Sequence, residues 1–173
     1  MRLLYVVQRY GESIAGGAEQ HCREMAERMA ARGHHVEVAT TCAQSYSDWA
    51  NAYPPGTSFI NGVAVHRFPV AEVRDNPLFN ELNRRMVSGR GPRPLIVQRE
   101  WMRLQGPHTP ELPAWIDRNI HRFDCVIPFT YLYWTTQAAL EAAAVRHAPS
   151  GAAVWRPAPP RPRVPLASSS RGR

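Results

Sequence analysis

A pair of glycines lies directly before the first amphipathic segment of this 173-residue chain. Gly16 and Gly17 follow an apolar run at residues 2–7 and precede a helical pattern at residues 18–32. Two glycines at a helix N-terminus let backbone N–H groups approach a ligand closely, and the helix dipole favours an anion there. The segment can therefore hold a phosphate or a sugar hydroxyl without side chains. The alternative is a tight turn in which the glycines only permit positive φ.

Two related glycine motifs are excluded. A P-loop needs Lys and then Ser or Thr after its second glycine, but Gly16 is followed by Gly17 and Ala18, and the chain contains no lysine. The Gly-x-Gly-x-x-Gly fingerprint of dinucleotide-binding proteins is also absent. The sequence therefore supports neither an ATPase nor a nicotinamide enzyme.

The segments around the glycine pair predict a βαβ unit. Residues 2–7 form a continuous apolar run, which is typical of a strand buried on both faces of a parallel sheet. Residues 18–32 carry apolar positions at helical spacing, and Gly33 is expected just past the end of that helix. Residues 35–40 alternate as a second strand. In such a sheet, ligands bind beyond the carboxyl ends of the strands.

Further elements are predicted as far as residue 145. Asn61-Gly62, between apolar residues, indicates a two-residue hairpin after an ordered loop at residues 43–58. Asn76 and Pro77 predict the cap and first position of a helix that buries Leu78, Leu82 and Met86. Three more helices are predicted: one at residues 95–104, one that starts at Thr109 or Pro110, and one from Gln137 to about Val145 that Thr135 or Thr136 caps. A short strand is predicted at residues 124–127, and Pro128 either ends it or places it at a sheet edge.

The positive charge is concentrated near the C-terminus. The net charge of +7 by itself suggests a nucleic-acid or anionic-membrane partner. However, six arginines and no acid follow Glu141, whereas residues 1–145 carry 15 arginines and 14 acids. A nearly neutral domain argues against nucleic-acid binding. Arg84, Arg85, Arg90 and Arg93 can touch anionic lipid headgroups if the ligand is lipid-linked, or form a solvated basic face.

Residues 146–173 differ abruptly from the rest and predict a disordered tail. They are rich in Arg, Pro and Ser, and their few apolar residues follow no period. The tail is either a functional basic segment or out-of-frame sequence after a frameshift. We favour the frameshift, because a parallel α/β domain should continue with another strand here. No run approaches the ~20 apolar residues of a membrane span, and the first apolar run is short for a secretory signal, so the expected compartment is the cytoplasm.

Several segments together resemble glycosyltransferase family 4. The resemblance starts with Gly-Gly-Ala-Glu at residues 16–19, the helix after it and residues 32–40, and continues in the hairpin at residues 61–68. Residues 105–112, and residues 124–127 followed by residues 129–133, look like one branch of the family. The resemblance covers about residues 2–145.

The resemblance implies the N-terminal half of a two-domain GT-B architecture, an α/β domain with a Rossmann-like parallel sheet flanked by helices. Such enzymes transfer a sugar from a nucleotide-sugar to a saccharide or lipid-linked acceptor with retention, generally without a bound metal, and no cofactor is expected. The second domain, with its Glu-x7-Glu motif and a basic pair that stabilises the departing diphosphate, has no counterpart in residues 146–173. We therefore expect a truncated domain with little or no transferase activity alone.

The resemblance also suggests substrate-binding residues. Gly16 and Gly17 would approach the sugar and diphosphate of the donor. Arg9 would meet a phosphate or be a solvated loop arginine, and Glu19 would orient a hydroxyl or only favour its helix N-terminus. His108 would reach the acceptor pocket or be an exposed loop histidine.

Aromatic residues follow the strand at residues 124–127. Many family members carry a histidine there, but this chain has Phe129, Thr130 and Tyr131, so no catalytic residue is assigned. Tyr131 is at most a lining residue. With Tyr133 and Trp134 it can form a sugar-stacking platform or pack beneath a partner domain. The alternative function is a non-enzymatic Rossmann-like module that binds glycans or a partner protein.

Overall fold

A computed structural model describes residues 1–88 and 91–147, with only the backbone described at residues 145–147. Most of the predicted tail and Arg90 therefore lie outside the described residues. The strands are β1 (Arg2–Val6), β2 (His35–Thr41), β3 (Gly56–Ile60), β4 (Val63–Phe68) and β5 (Cys125–Pro128). The α-helices are α1 (Gly17–Ala31), α2 (Asn76–Ser88), α3 (Leu95–Gln105), α4 (Glu111–Asn119) and α5 (Trp134–His147).

The strands form one sheet in the order β3-β4-β2-β1-β5. All neighbours are parallel except β3 and β4, which are antiparallel. The predicted α/β class is therefore confirmed: a mostly parallel, Rossmann-like sheet flanked by helices. The carboxyl ends of β1, β2, β4 and β5 lie at one edge of this sheet, where the loops after them can meet.

Both faces of the central strands are buried, as the continuous apolar run of β1 predicts. Leu3 and Tyr5 pack on the side of α1 with Cys22 and Ala26. Leu4 and Val6, which point the other way, pack among residues of α4 and α5, including Leu112, Ile116 and Ala139. Because the sheet is covered on both sides, its free carboxyl edge is the place where loops remain accessible.

Two glycine predictions are confirmed. Gly33 has φ of +84°, and its N–H donates to the Ala30 carbonyl while the His34 N–H donates to Met29, which is the Schellman ending of a helix. Asn61 and Gly62 both have positive φ between β3 and β4, as a type I′ hairpin requires.

The predicted starts of two helices are wrong, and so is part of the predicted buried face of α2. The cap of α2 is Asp75, whose Oδ1 accepts the Leu78 N–H at 2.9 Å, while the Asn76 amide donates to the Ser47 carbonyl instead. Phe79 is the buried residue of α2, and Leu78 is 48% exposed. Helix α5 begins at Trp134, so Thr136 lies inside it and donates to the Phe129 carbonyl at 3.0 Å.

Strand β5 pairs only with β1 among the described strands, so Pro128 lies on an edge strand, one of the two predicted placements. Within residues 1–88 and 91–147, no helix combines the length and apolarity needed to cross a bilayer.

Glu37 on β2 is 2% exposed and lies among three basic side chains. The Nε2–H groups of His35 and His66 donate to its two oxygens at 2.8 and 2.7 Å. Arg122 donates to Oε1 at 2.8 Å. Burial raises the pKa of Glu37, but the hydrogen bonds from the two histidines and the charge of Arg122 outweigh it, so the net pKa is lowered.

We expect Glu37→Gln to lower the free energy of unfolding by about 2 kcal/mol at pH 7, because it weakens hydrogen bonds to charged groups. We also expect the free energy of unfolding of this variant to fall less steeply than that of the parent as the pH is lowered. A lowered pKa in the folded state means that Glu37 contributes stability above its unfolded pKa of about 4.3, and that this contribution is lost as the pH falls through the folded value. Urea unfolding from pH 7 to pH 3 measures both effects. Glu24→Gln on the exposed side of α1 is the control. The prediction is contradicted if the free energy of unfolding falls equally with pH in the parent and in Glu37→Gln.

Candidate functional site

The loop from β1 to α1 reaches the helix through Gly16, which is extended, with φ of −179° and ψ of 134°. Gly17 is the first residue of α1. Neither glycine has positive φ, so the interpretation of the pair as a left-handed turn is wrong. No side chain caps this helix N-terminus, and the first helical hydrogen bond runs from the Gln20 N–H to the Gly16 carbonyl at 2.8 Å. The backbone N–H groups of the first turn therefore have no side-chain acceptor at the N-terminal end of α1.

The two glycines have different surroundings. A Cβ on Gly16 would collide with the carboxylate of Glu19 and lie 3.2 Å from Arg9 Nη2. A Cβ on Gly17 would have no heavy atom within 4 Å. The packing beneath the loop therefore leaves no room for a side chain at Gly16, whereas Gly17 is exposed and leaves space that a ligand can enter.

The packing beneath the loop is a buried ion pair. Arg9 and Glu19 are each 7% exposed, and Glu19 Oε1 accepts from Arg9 Nη2 at 2.5 Å and from Arg9 Nε at 2.9 Å. Gln8 Nε2 donates to the same oxygen at 2.9 Å, and Arg9 Nη1 donates to the Gln44 carbonyl at 2.9 Å. The interpretation of Arg9 as a solvated loop arginine is therefore wrong. All three guanidinium nitrogens bond within the protein, so the pair positions the loop and α1.

The loop between β5 and α5 borders the same region. Thr130 has φ of +64°, a conformation that costs a β-branched residue energy and that clusters at functional sites. Its hydroxyl donates to Gln8 Oε1 at 3.2 Å, and the neighbouring Phe129 ring packs edge-on against His21 of α1 at 5.5 Å. Gln8 and Thr130 thus join the two loops. Sequence reasoning missed both residues, because isolated polar residues in loops carry no periodic signal.

The predicted aromatic platform does not form. Tyr131 is 82% exposed beside Thr130. Tyr133 instead packs edge-on against Trp49 at 5.4 Å, and Trp134 packs against His108 at 5.0 Å. Of the three rings, only that of Tyr131 is therefore left exposed at this edge.

His108 lies in a cleft, so its interpretation as an exposed loop histidine is wrong. Its side chain is 24% exposed and its Nδ1 lies 3.9 Å from Glu72 Oε1. This Nδ1 is buried and has no hydrogen-bond partner among the described residues. Burial lowers the pKa of His108, Glu72 opposes that effect and Arg103 adds to it, with a net lowering. The neutral imidazole is therefore favoured.

A cavity of about 130 Å³ opens beside His108. Its walls include Glu72, Arg74 and Arg103, and Trp49 lies against Gly106, where a Cβ would be 2.8 Å from the indole. Arg74 stacks on Phe79 at 4.0 Å and its buried Nε has no partner among the described residues. Acceptors, donors and an indole in one small cavity suit a polyhydroxylated ligand, which both accepts and donates hydrogen bonds.

The loop after β2 connects the cavity with the glycine pair. Arg9 lies over the Tyr46 ring at 5.3 Å, and Arg74 Nη1 donates to the Tyr46 carbonyl at 3.3 Å. The structure therefore brings Gly16, Gly17, Arg9 and Glu19 together and places His108 in a separate cleft on the same loops. Tyr46 and Trp49 belong to the aromatic, turn-rich segment at residues 43–58, which was predicted as an ordered loop without an assigned role.

Comparison of the chain with protein-family models, with curated proteins and with solved structures finds no match.

Proposed function

We propose that this chain is the acceptor-side domain of a family-4-like glycosyltransferase, which moves a sugar from a nucleotide-sugar to a saccharide or lipid-linked acceptor. The observation that supports it most is the open N-terminus of α1. No side chain caps that terminus, and free space surrounds the Cβ position of Gly17. The buried Arg9–Glu19 pair holds the loop beneath it.

The proposed chemistry at α1 is electrostatic. Backbone N–H groups of the first turn and the helix dipole stabilise the phosphate charge that grows as the glycosidic bond to the diphosphate breaks. Because Arg9 is occupied by Glu19 and the Gln44 carbonyl, the backbone and not this arginine meets the phosphate. The cavity beside His108 takes the acceptor, with carboxylate, guanidinium and imidazole groups bonding its hydroxyls.

By itself the chain is proposed to bind ligands without turning over a nucleotide-sugar. The remaining donor contacts and the basic pair belong, by the resemblance, to a second domain. A non-enzymatic glycan-binding module is the second candidate, and the cavity favours it, because the partly exposed side chains of Glu72 and Arg103 line it without any involvement of Gly17.

Gly17→Leu is expected to weaken diphosphate binding at least tenfold and to leave the fold intact. Its side chain would fill the space beside the first-turn N–H groups, whereas the absence of heavy atoms within 4 Å of the Cβ position means that the protein need not move. Titration of the ¹⁵N-labelled chain with a panel of nucleoside diphosphates should shift the Gly17, Ala18 and Glu19 amides in the parent. We expect the dissociation constant from this titration to be at least tenfold higher in the variant, which is about 1.4 kcal/mol.

Gly16→Ala is the matched control for this experiment. It should destabilise the fold by about 1–3 kcal/mol through overpacking against Glu19, which separates a packing effect from a blocked site. Diphosphate shifts that are equal in parent and Gly17→Leu, or that map elsewhere, contradict the proposal. If a glycan panel shifts His108 while diphosphates shift nothing, the binding module is the better explanation.

A further inference from the structure

Helices α2 and α3 form a hairpin whose far end we call the hairpin tip, residues 81–88 and 93–99. Trp101 of α3 packs against Phe79 of α2 at 6.3 Å, and its Nε1 donates to Asn83 Oδ1 at 3.0 Å. At the tip, Arg93 donates to the Arg85 carbonyl at 2.6 Å. These contacts bring the last turn of α2 and the first turn of α3 together.

Three aliphatic side chains are exposed at the hairpin tip. Val87 is 79%, Leu95 61% and Ile96 73% exposed. Single exposed apolar residues are ordinary, but here three lie in the last turn of α2 and the first turn of α3, at one end of the hairpin, and groups of exposed apolar residues mark interaction sites. A cavity of about 270 Å³ beside them is lined by Met86, Leu95, Trp101 and Met102, among others. The walls that Met86, Leu95, Trp101 and Met102 form are apolar, and Gln98, Arg99 and Gln137 of α5 complete the cavity.

The charges around this patch are mainly positive. The hairpin tip contains four arginines, Arg84, Arg85, Arg93 and Arg99, and one acid, Glu81. Arg84 and Arg85 share Glu81 as their partner. On α1, by contrast, Arg23 and Arg28 each have a glutamate of their own. The hairpin tip therefore keeps a surplus of three positive charges next to exposed aliphatic groups.

We propose that the hairpin tip docks on an anionic lipid bilayer. Val87, Leu95 and Ile96 enter the boundary between headgroups and acyl chains, and the arginines lie at the level of the lipid phosphates. Nucleic acid would use the arginines but gain nothing from the aliphatic side chains, and a protein partner would not require an excess of one charge sign. The proposal does not depend on sugar transfer, since it does not involve Gly17 and no tip residue lines the cavity of about 130 Å³ beside His108. Ile96 and Arg99 line a different cavity, which His108 also borders.

Co-sedimentation of the full chain with vesicles of phosphatidylcholine, with and without phosphatidylglycerol, tests this proposal. The parent should bind the anionic vesicles and bind less as salt is added. The triple variant V87S/L95S/I96S should lower the partition coefficient at least tenfold by removing apolar contact. The variant R84Q/R85Q/R93Q/R99Q should lower it by about fivefold for each arginine at low salt. Residues 146–173, with six arginines, remain in every variant, so any binding by them is common to all.

Matched controls remove exposed residues of the same types elsewhere. F59S/L140S changes residues that are 77% and 55% exposed on β3 and α5, and R28Q/R32Q changes two exposed arginines at the end of α1. Both should bind like the parent, and circular dichroism without vesicles should be the same for every variant. No binding by the parent, unchanged binding by the triple serine variant, or tip-dependent binding to duplex DNA instead of vesicles would each overturn the proposal. Diphosphate titration stays unaffected by the tip variants, so the two proposals fail separately.

Discussion

Glu19→Ala is expected to lower the free energy of unfolding by about 3–5 kcal/mol, because it leaves a buried arginine without its countercharge. Arg9 is 7% exposed and directs two of its three guanidinium nitrogens at Glu19 Oε1. Gln8 would lose its acceptor at the same time. Urea denaturation with an unchanged m-value measures the loss. The β1–α1 loop should also open, visible as faster amide exchange at Gly16 and Gly17.

A double variant and a surface variant test the physical reason. Arg9→Met combined with Glu19→Leu should cost less than the sum of the single changes, because no buried charge is then left unpaired. Glu24→Ala on the exposed side of the same helix should change stability by only about 0.5 kcal/mol. If Glu19→Ala costs no more than Glu24→Ala, the buried pair does not hold the loop.

Trp49→Ala is expected to cost about 3–5 kcal/mol and to open one wall of the cavity beside His108. Trp49 is 1% exposed, lies against Gly106 and Tyr133, and donates its Nε1–H to the Gln105 carbonyl at 2.9 Å. Removing the indole takes away both the packing of the loop after β2 and one wall of the cavity. Thermal unfolding and glycan titration, monitored at the His108 imidazole, measure the two effects.

Trp49→Phe is the control for this prediction. It retains much of the packing but loses the hydrogen bond, for about 1 kcal/mol, and it should keep the cavity. Val73→Ala, which changes a residue lining the same cavity that is 66% exposed, should leave stability nearly unchanged. A Trp49→Ala protein with normal stability would show that the loop after β2 is held by other contacts.

These predictions concern one arrangement at the carboxyl edge of the sheet. Buried side chains such as Arg9, Glu19 and Trp49 hold the loops. The groups left accessible are the backbone at the N-terminus of α1 and the partly exposed side chains of Glu72 and Arg103 in the cleft. A site of this kind binds through preorganised dipoles, which need little rearrangement when a charged ligand arrives. Variants that loosen the loops should therefore weaken binding even where they touch no ligand.

Local signals were sufficient for much of the fold. The continuous apolar run of β1, the positive φ that Gly33 and Asn61-Gly62 allow, and the helical spacing before Gly33 each depend on neighbours in the chain. The cap of α2 was placed one residue too late, since Asp75 and Asn76 are both good caps and only their tertiary contacts distinguish them. Asn76 bonds the Ser47 carbonyl in a distant loop, which leaves Asp75 to cap the helix.

The α/β class, the strand-loop-helix unit and the position of the glycine pair before α1 could be predicted from the amino-acid order, because periodicity and backbone freedom are properties of short segments. Which polar residues are buried could not be predicted in this way. Arg9 meets Glu19 across the β1–α1 loop and Gln44 after β2, and His108 meets Glu72 and Trp134, all through contacts between separate segments. The burial and pairing of a charge depend on these distant neighbours. The tertiary structure is therefore needed to distinguish residues that hold the site from groups that remain open to a ligand.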